Sequence, residues 1–137
     1  MATIKNFEEL DSWKKARELA GYVYELTRKE KFCHDFGLCN QIQRAAGSVM
    51  HNIAEGFESG YDPEFVRFLK MARRSAAEVQ SELYLALDAF YITEAELQKA
   101  YNLATESKKL INGLIAYLAK RKPTSRPEDQ STNRLNH

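Results

Sequence analysis

The residues best suited to chemistry are two thiols and an imidazole in one short segment, Cys33-His34-Asp35 followed by Cys39. A structural zinc site needs four ligands, usually supplied as paired Cys-x-x-Cys units. In this segment Cys33 and His34 are adjacent, and no fourth ligand lies near them in the sequence. The spacing therefore favours an ordinary loop that holds two thiols, and we expect no metal site.

Nucleophilic catalysis is the second chemistry that this segment brings to mind. A cysteine nucleophile needs a base within reach and a third group that orients the base. The chain has 3 His, and their positions supply no such arrangement. Nor does the sequence pair two inward carboxylates with His in the Glu-x-x-His pattern of bundle metal sites. We expect a protein that is not an enzyme and that has no cofactor and no small-molecule substrate.

A polar line of residues, spaced three and four apart, runs along one predicted helix away from its apolar face. Its members are Gln41, Arg44, Ser48, Asn52 and Glu55. Solvated faces usually mix Lys and Glu, whereas amides and hydroxyls suit a partly buried seam in which each group is paired, because an unpaired buried polar group costs about 1–3 kcal/mol. The pattern leaves two alternatives open, a plain solvent face and a polar interface within the bundle or between subunits.

A matching polar flank lies on the next helix, formed by Ser75, Glu78 and Glu82. Either carboxylate could accept a charge-assisted hydrogen bond from Arg44. We therefore predict an ion pair between Arg44 and Glu78 or Glu82 that joins the two helices, and we count these residues among the interface candidates.

Basic residues cluster on the outer face of the same helix. Arg67, Lys70 and Arg74 occupy positions i, i+3 and i+7, and Arg73 lies beside them. Like charges at this spacing repel each other mildly, whereas an anionic partner such as RNA would favour the cluster. A solvated charged face is the alternative, since Glu78 follows Arg74 at i+4 and could neutralise it.

Four helices position these residues. Apolar spacing predicts helix one over residues 12–28, helix two over 38–57, helix three from Asp62-Pro63 with a seam from Phe65 to Phe90, and helix four up to residue 120. Asp11 or Ser12 is the expected cap of helix one and Asp62 that of helix three. Thr93 and Glu96 have the spacing of a capping box.

The short links before helices three and four imply antiparallel neighbours. The fold class is therefore all-α, an antiparallel up-and-down four-helix bundle over residues 1–120, followed by a disordered polar tail over residues 121–137. Several aromatic and aliphatic side chains fall outside the core stripes: Tyr22, Phe68, Met71, Tyr84, Leu85 and Tyr117. Because grouped exposed apolar residues often mark interfaces, we expect self-association.

The overall charge offers no general attraction for an anionic partner, since 20 basic side chains stand against 19 acidic ones and the net charge is +1. Any contact with nucleic acid must come from a local patch. No apolar run reaches the roughly 18 residues that span a bilayer, and charges interrupt the first ten residues, unlike a signal peptide. We expect a cytoplasmic protein with free thiols and no membrane contact.

The segment from Gln41 to Gly56, Gln-Ile-Gln-Arg-Ala-Ala-Gly-Ser-Val-Met-His-Asn-Ile-Ala-Glu-Gly, closely resembles the signature of a known family. This is the S23-like family of four-helix-bundle proteins encoded within intervening sequences of bacterial large-subunit ribosomal RNA genes. The resemblance covers residues 5–119. Further matching positions are Phe7, Leu10, Trp13, Ala16, Phe65, Phe68, Leu69, Ala72, Ser75, Glu78, Leu83 and Ala86.

The resemblance implies a homopentameric barrel of antiparallel bundles. The family is similar, more distantly, to the accessory protein of diversity-generating retroelements, which binds reverse transcriptase and RNA through a basic surface. This chain has Gln43 where the family often has a second Arg, and Arg74 where Gly is common. The first change removes charge from one surface and the second adds charge on another.

We therefore expect a non-enzymatic homo-oligomer that binds RNA or a nucleic-acid-processing partner such as a reverse transcriptase. The candidate contacts are Arg44, Arg67, Lys70, Arg73 and Arg74. The alternative is a purely structural protein–protein scaffold that binds through an apolar patch and does not bind nucleic acid.

Overall fold

The computed structural model describes residues 3–121, so the predicted tail lies outside the described residues apart from Arg121. A short 3₁₀ helix, Phe7–Glu9, precedes four α-helices: α1 (Asp11–Thr27), α2 (Phe36–Glu58), α3 (Asp62–Asp88) and α4 (Glu94–Lys120). Each helix packs against the one before it, and α4 also packs against α1. The described part of the chain contains no β-strand. The prediction of an all-α four-helix bundle is confirmed.

One apolar core lies between the four helices and holds most of the predicted stripe residues. Its largest fully buried side chains are Leu19, Val23, Phe32, Ile42, Val49, Ile53, Leu69, Val79, Leu83 and Ile111. Each such side chain contributes about 1.5–3 kcal/mol relative to exposure. Burial of this stripe fixes which faces of α2 and α3 remain outside, and those outer faces carry the polar and basic residues identified in the sequence.

The predicted cap of helix one is wrong. Leu10 occupies the cap position, with no side-chain cap, because the preceding 3₁₀ helix brings Leu10 there and its carbonyl accepts from Lys14 N at 3.0 Å. Ser12 lies inside the first turn instead, where its hydroxyl is buried without a hydrogen-bond partner among the described residues.

Asp35, which the sequence analysis assigned to the break between helices, is the cap of α2. Its Oδ1 accepts from Leu38 N at 3.0 Å, and its Oδ2 accepts from the Tyr91 hydroxyl at 2.8 Å. These hydrogen bonds hold the pKa of Asp35 below its ordinary value. Because of this cap, α2 begins at Phe36, two residues earlier than the apolar pattern predicted.

The start of α3 also differs from the prediction. Tyr61 is the cap residue, and Asp62 is buried and accepts a bidentate pair of hydrogen bonds from Arg121 at 2.7 and 2.8 Å. Asp62 therefore does not cap α3 but joins its start to the end of α4. Pro63 lies in the first turn, as its place after Asp62 predicted, and Gly60 follows the end of α2 with a φ of 65°.

Phe90 was predicted to be the last core residue of helix three, and this is wrong. The helix ends at Asp88, the backbone turns to a φ of 63° at Phe90, and the side chain is 83% exposed. A hydrogen bond from Tyr91 N to Ala86 O at 2.9 Å closes the helix across that turn. The predicted capping box of α4 is confirmed, with Glu96 N donating to Thr93 Oγ1 at 3.1 Å and Thr93 N donating to Glu96 Oε1 at 2.9 Å.

Candidate interface on the outer faces of α2 and α3

The predicted polar lines of α2 and α3 are in contact where Ser48 and Ser75 are hydrogen-bonded. We call the two lines together the outer seam, formed by Gln41, Arg44, Ser48, Asn52 and Glu55 of α2 and by Ser75, Glu78 and Glu82 of α3. At its centre Ser75 Oγ donates to Ser48 Oγ at 2.9 Å, and Asn52 Nδ2 donates to the carbonyl and hydroxyl oxygens of Ser48 at 2.8 Å. These three residues are half-buried and paired within the bundle, as a polar interface requires.

The predicted ion pair between Arg44 and Glu78 or Glu82 is wrong. Within residues 3–121, Arg44 has neither an ion pair nor a hydrogen bond from its side chain, and it is exposed. The reason is helical geometry, because successive residues are turned by about 100°. Ala45 takes the buried position that faces the core, so Arg44 points outward.

Glu82 is the exceptional residue of the outer seam. It is 7% exposed, and neither carboxyl oxygen has a hydrogen-bond donor among the described residues. Burial, together with the negative charge of Glu78, raises the pKa of Glu82 to about 7. A buried acid without a donor is uncommon in folded proteins.

The structure separates the predicted basic residues. At about 100° per residue, Arg67, Lys70 and Arg74 fall within about 60° on the outer face of α3. Arg73 turns toward α4 and its Nη1 donates to Asn112 Oδ1 at 2.7 Å, while Arg44 lies on α2. Three of the five candidates thus share one face, and two do not.

The three residues of this outer basic face differ in how free they are. Arg67 Nε donates to Glu64 Oε1 at 2.6 Å, and its guanidinium lies 4.6 Å from the centre of the Phe68 ring. Lys70 and Arg74 are exposed and have no acidic partner in the described part of the chain. The neutralisation of Arg74 by Glu78, which supported the alternative of a solvated charged face, is therefore absent there.

A second polar network, between α3 and α4, was missed by the sequence analysis. Gln80 is buried, its Nε2 donates to Thr105 Oγ1 at 2.9 Å, and its Oε1 accepts from Lys108 Nζ at 2.6 Å. The available signal was an amide between the core residues Val79 and Leu83, one step from the apolar line. A similar bond, from Gln43 Nε2 to Thr27 Oγ1 at 2.9 Å, pins α2 to α1.

The thiol segment is held by local backbone contacts. Cys33 Sγ donates to Glu30 O at 3.1 Å and lies 3.4 Å from His34 Nδ1, while Cys39 Sγ donates to Phe32 O at 3.0 Å. Burial raises the pKa of Cys39, which disfavours a thiolate. Across residues 3–121, no three His, Cys, Asp or Glu side chains are grouped to hold a metal ion. None of the helices described has the length and apolar character that a membrane crossing requires.

Comparison with known proteins identifies the class of bundle. The chain belongs to the 23S rRNA-intervening sequence protein family, whose family model matches residues 8–113. Its fold is similar to the crystal structure of a protein of unknown function from the S23 ribosomal protein family of Bacteroides thetaiotaomicron. The two share 27% identity with a TM-score of 0.69, over 76% of this chain and 97% of that one. No curated protein matches the chain at a significant level.

Proposed function

We propose that this chain is a non-enzymatic helical subunit that self-associates and binds RNA through the outer face of α3. The observation that carries the proposal is the pair Lys70 and Arg74, which are exposed without an acidic partner among the described residues. Phosphate binding needs cations that are not already neutralised, because affinity comes from the counterions that each contact releases.

Two neighbours of this pair extend the same surface. Arg67, held over the Phe68 ring, presents a guanidinium next to an aromatic side chain, and both groups are suited to stacking on unpaired bases. Arg73 is half-buried at the edge toward α4 and is the weaker candidate because it already binds Asn112. The family description, which refers to intervening sequences of 23S rRNA, agrees with an RNA partner.

Self-association is supported by apolar side chains that one chain leaves exposed. Tyr84, Leu85 and Tyr117 are 50%, 57% and 40% exposed, and such groups are typical of protein–protein contacts. The number of five subunits, and a reverse-transcriptase-like partner, follow only from the family resemblance and stay predictions.

RNA binding is tested by the salt dependence of binding to a fluorescent single-stranded RNA. For the wild-type chain we expect log K to fall with log salt concentration. The variants Lys70→Ala and Arg74→Ala should each lower the magnitude of that slope by about one, because each removes one phosphate contact. The measurement is fluorescence anisotropy from low salt to physiological salt.

The matched control is Lys31→Ala and Lys109→Ala, which remove equal charge from exposed positions outside α3. These variants should leave the slope unchanged. The proposal fails if wild-type protein does not bind RNA at low salt, or if control and test variants lose affinity equally.

A protein–protein scaffold is the second candidate, favoured by the two most exposed aromatic side chains. Phe36 and Phe90 are 77% and 83% exposed. They lie at the same end of the bundle because their chain neighbours Asp35 and Tyr91 are hydrogen-bonded at 2.8 Å. This function predicts partner binding that is insensitive to salt and that is lost in the Phe36→Ser/Phe90→Ser variant, with no retention of RNA.

A further inference from the structure

The outer seam contains one acidic and one basic side chain that do not pair with each other. Glu82 is buried with no donor to its carboxyl oxygens, and Arg44 is exposed with no acceptor for its guanidinium, within residues 3–121. A buried carboxyl without a donor is uncommon in folded proteins. A second copy of the chain can supply each of the two groups with the opposite charge that it does not bind here.

The register of α2 and α3 places these groups within one turn of each other along the seam. The Ser48–Ser75 hydrogen bond at 2.9 Å sets residue 48 opposite residue 75. Because antiparallel helices rise equally per residue, Gln41 then lies opposite Glu82, and Arg44 lies at the level between Glu78 and Glu82. Arg44 therefore lies at the same level along the helices as these two carboxylates, but its side chain points away from them within its own chain.

We propose that Glu78 and Glu82 receive the Arg44 guanidinium of a second copy of this chain, so that the outer seam is completed only in the assembly. The inference rests on the self-association proposed above, and it identifies a polar contact between the associated copies. Arginine suits the role because its planar fork can bond both oxygens of a carboxylate.

The occupant is protein and not RNA because the seam is acidic. Its charged members are Glu55, Glu78 and Glu82 against the single Arg44, so a phosphate chain would be repelled. An Arg44 guanidinium from a second copy of the chain would offset this excess of negative charge.

Pairing requires Glu82 to change its protonation state. In the single chain its carboxyl is buried beside Glu78 and, with a pKa of about 7, is about half protonated at neutral pH. A guanidinium bound at the exposed Glu78 offsets the negative charge there, which favours the ionised form of Glu82. Each contact formed in this way releases one proton to solvent, so assembly tightens as pH rises.

The nearby charges on the two helices are few. On α2, Arg44 lies at the level between Glu78 and Glu82, and on α3, Arg74 lies one turn before Glu78. On α3, Glu78 is the acid that contributes to the properties of Glu82. The pH dependence of assembly is therefore assigned to the Glu78–Glu82 pair and the facing Arg44.

Light scattering of the purified full chain between pH 6 and pH 8.5 tests the proposal. We expect a mass above that of one chain at pH 8, and a dissociation constant that falls by up to about tenfold per pH unit through pH 6–7, the slope for one proton released per contact. Equal masses and dissociation constants at both ends of this range would overturn the proton-linked contact.

Charge variants identify the contact directly. Arg44→Glu should be monomeric at pH 8, and the double variant Arg44→Glu/Glu78→Arg should regain assembly because it restores the pair with reversed signs. Glu82→Gln should assemble without dependence on pH. If Arg44→Glu keeps the wild-type mass, with a wild-type circular dichroism spectrum, this contact is refuted.

The matched control is Lys70→Glu, a charge reversal on the outer face of α3 about two turns from Glu78. It should keep the wild-type mass and lose affinity for RNA. The two proposals are separated when a variant loses either RNA binding or assembly and keeps the other. An assembly that survives Arg44→Glu leaves self-association standing and rejects this contact.

Discussion

The two flanks of α3 differ in how completely their polar side chains are hydrogen-bonded within the chain. Toward α4, buried Gln80 is bonded to Thr105 and Lys108, and Arg73 is bonded to Asn112, at 2.6–2.9 Å. Toward α2, the serines are bonded to each other, but Glu82 has no donor in the described part of the chain. One flank is complete within the chain, and the other is incomplete.

This difference distinguishes the flank that stabilises the fold from the flank that we propose to bind a partner. A buried polar group that finds its partners inside the chain fixes helix register, and its removal leaves other groups unpaired. A buried polar group without partners lowers stability. The α3–α4 flank therefore stabilises the architecture, whereas the outer seam is the surface that we propose for assembly.

The largest expected effect is that of Glu82→Gln on stability at alkaline pH. The folded pKa of about 7 lies above the ordinary value of 4.5, so the folded state binds more protons between these values and wild-type stability falls as pH rises from 4.5 to 7. At 1.36 kcal/mol per unit, the cost above pH 7 is about 3 kcal/mol.

The amide cannot ionise, so the Glu82→Gln variant should be more stable than its parent by about that amount at pH 8 and nearly equal to it at pH 4.5. Urea unfolding at a protein concentration at which light scattering gives the mass of a single chain provides the measurement. An equal difference at the two pH values would show that Glu82 does not titrate between them.

A smaller effect compares the two flanks by removing one polar group from each. Gln80→Ala leaves Lys108 and Thr105 without their partner and should cost about 2 kcal/mol, whereas Ser75→Ala removes one hydroxyl pair and should cost about 1 kcal/mol. Thermal unfolding of the two variants at pH 7 measures the ratio. Equal losses of unfolding free energy in the two variants would contradict the distinction between a flank that is fully hydrogen-bonded within the chain and one that is not.

The smallest effects are expected from the two arginines. Arg73→Ala breaks a hydrogen bond to α4 and should lower the unfolding free energy by about 1 kcal/mol. Arg44→Ala removes no contact within the described residues, and its effect on the unfolding of a single chain should stay within about 0.5 kcal/mol. Urea unfolding at low protein concentration compares them, and a larger loss for Arg44→Ala than for Arg73→Ala would contradict the account.

Helix positions were predictable because the apolar residues that recur every three and four positions are the buried ones, as in the line from Phe65 to Ala86. The residues that cap the helices were harder to predict. Asp35 and Asp62 look alike in the sequence, yet only Asp35 caps a helix, because Arg121, 59 residues away, binds Asp62. Local sequence contains no information about that distant partner.

The outer seam was predictable in membership but not in pairing. The spacing of Ser48, Asn52 and Ser75 identified groups that do bond each other. The Arg44 pair was predicted wrongly because a helical wheel shows which residues share a line but not the direction of a side chain beside its neighbour helix. Phe90 was misplaced for a related reason, since the periodic pattern continued past the residue at which the helix ends.

The most direct test of the central claim is the pKa of the Glu82 carboxyl, measured by carbon NMR in the assembled wild-type chain and in monomeric Arg44→Glu. We predict a pKa near 7 in the monomeric variant, as burial beside Glu78 requires. In the assembly the pKa should fall below that value, because a guanidinium stabilises the carboxylate. The same pKa in both states would contradict completion of the outer seam by a second copy.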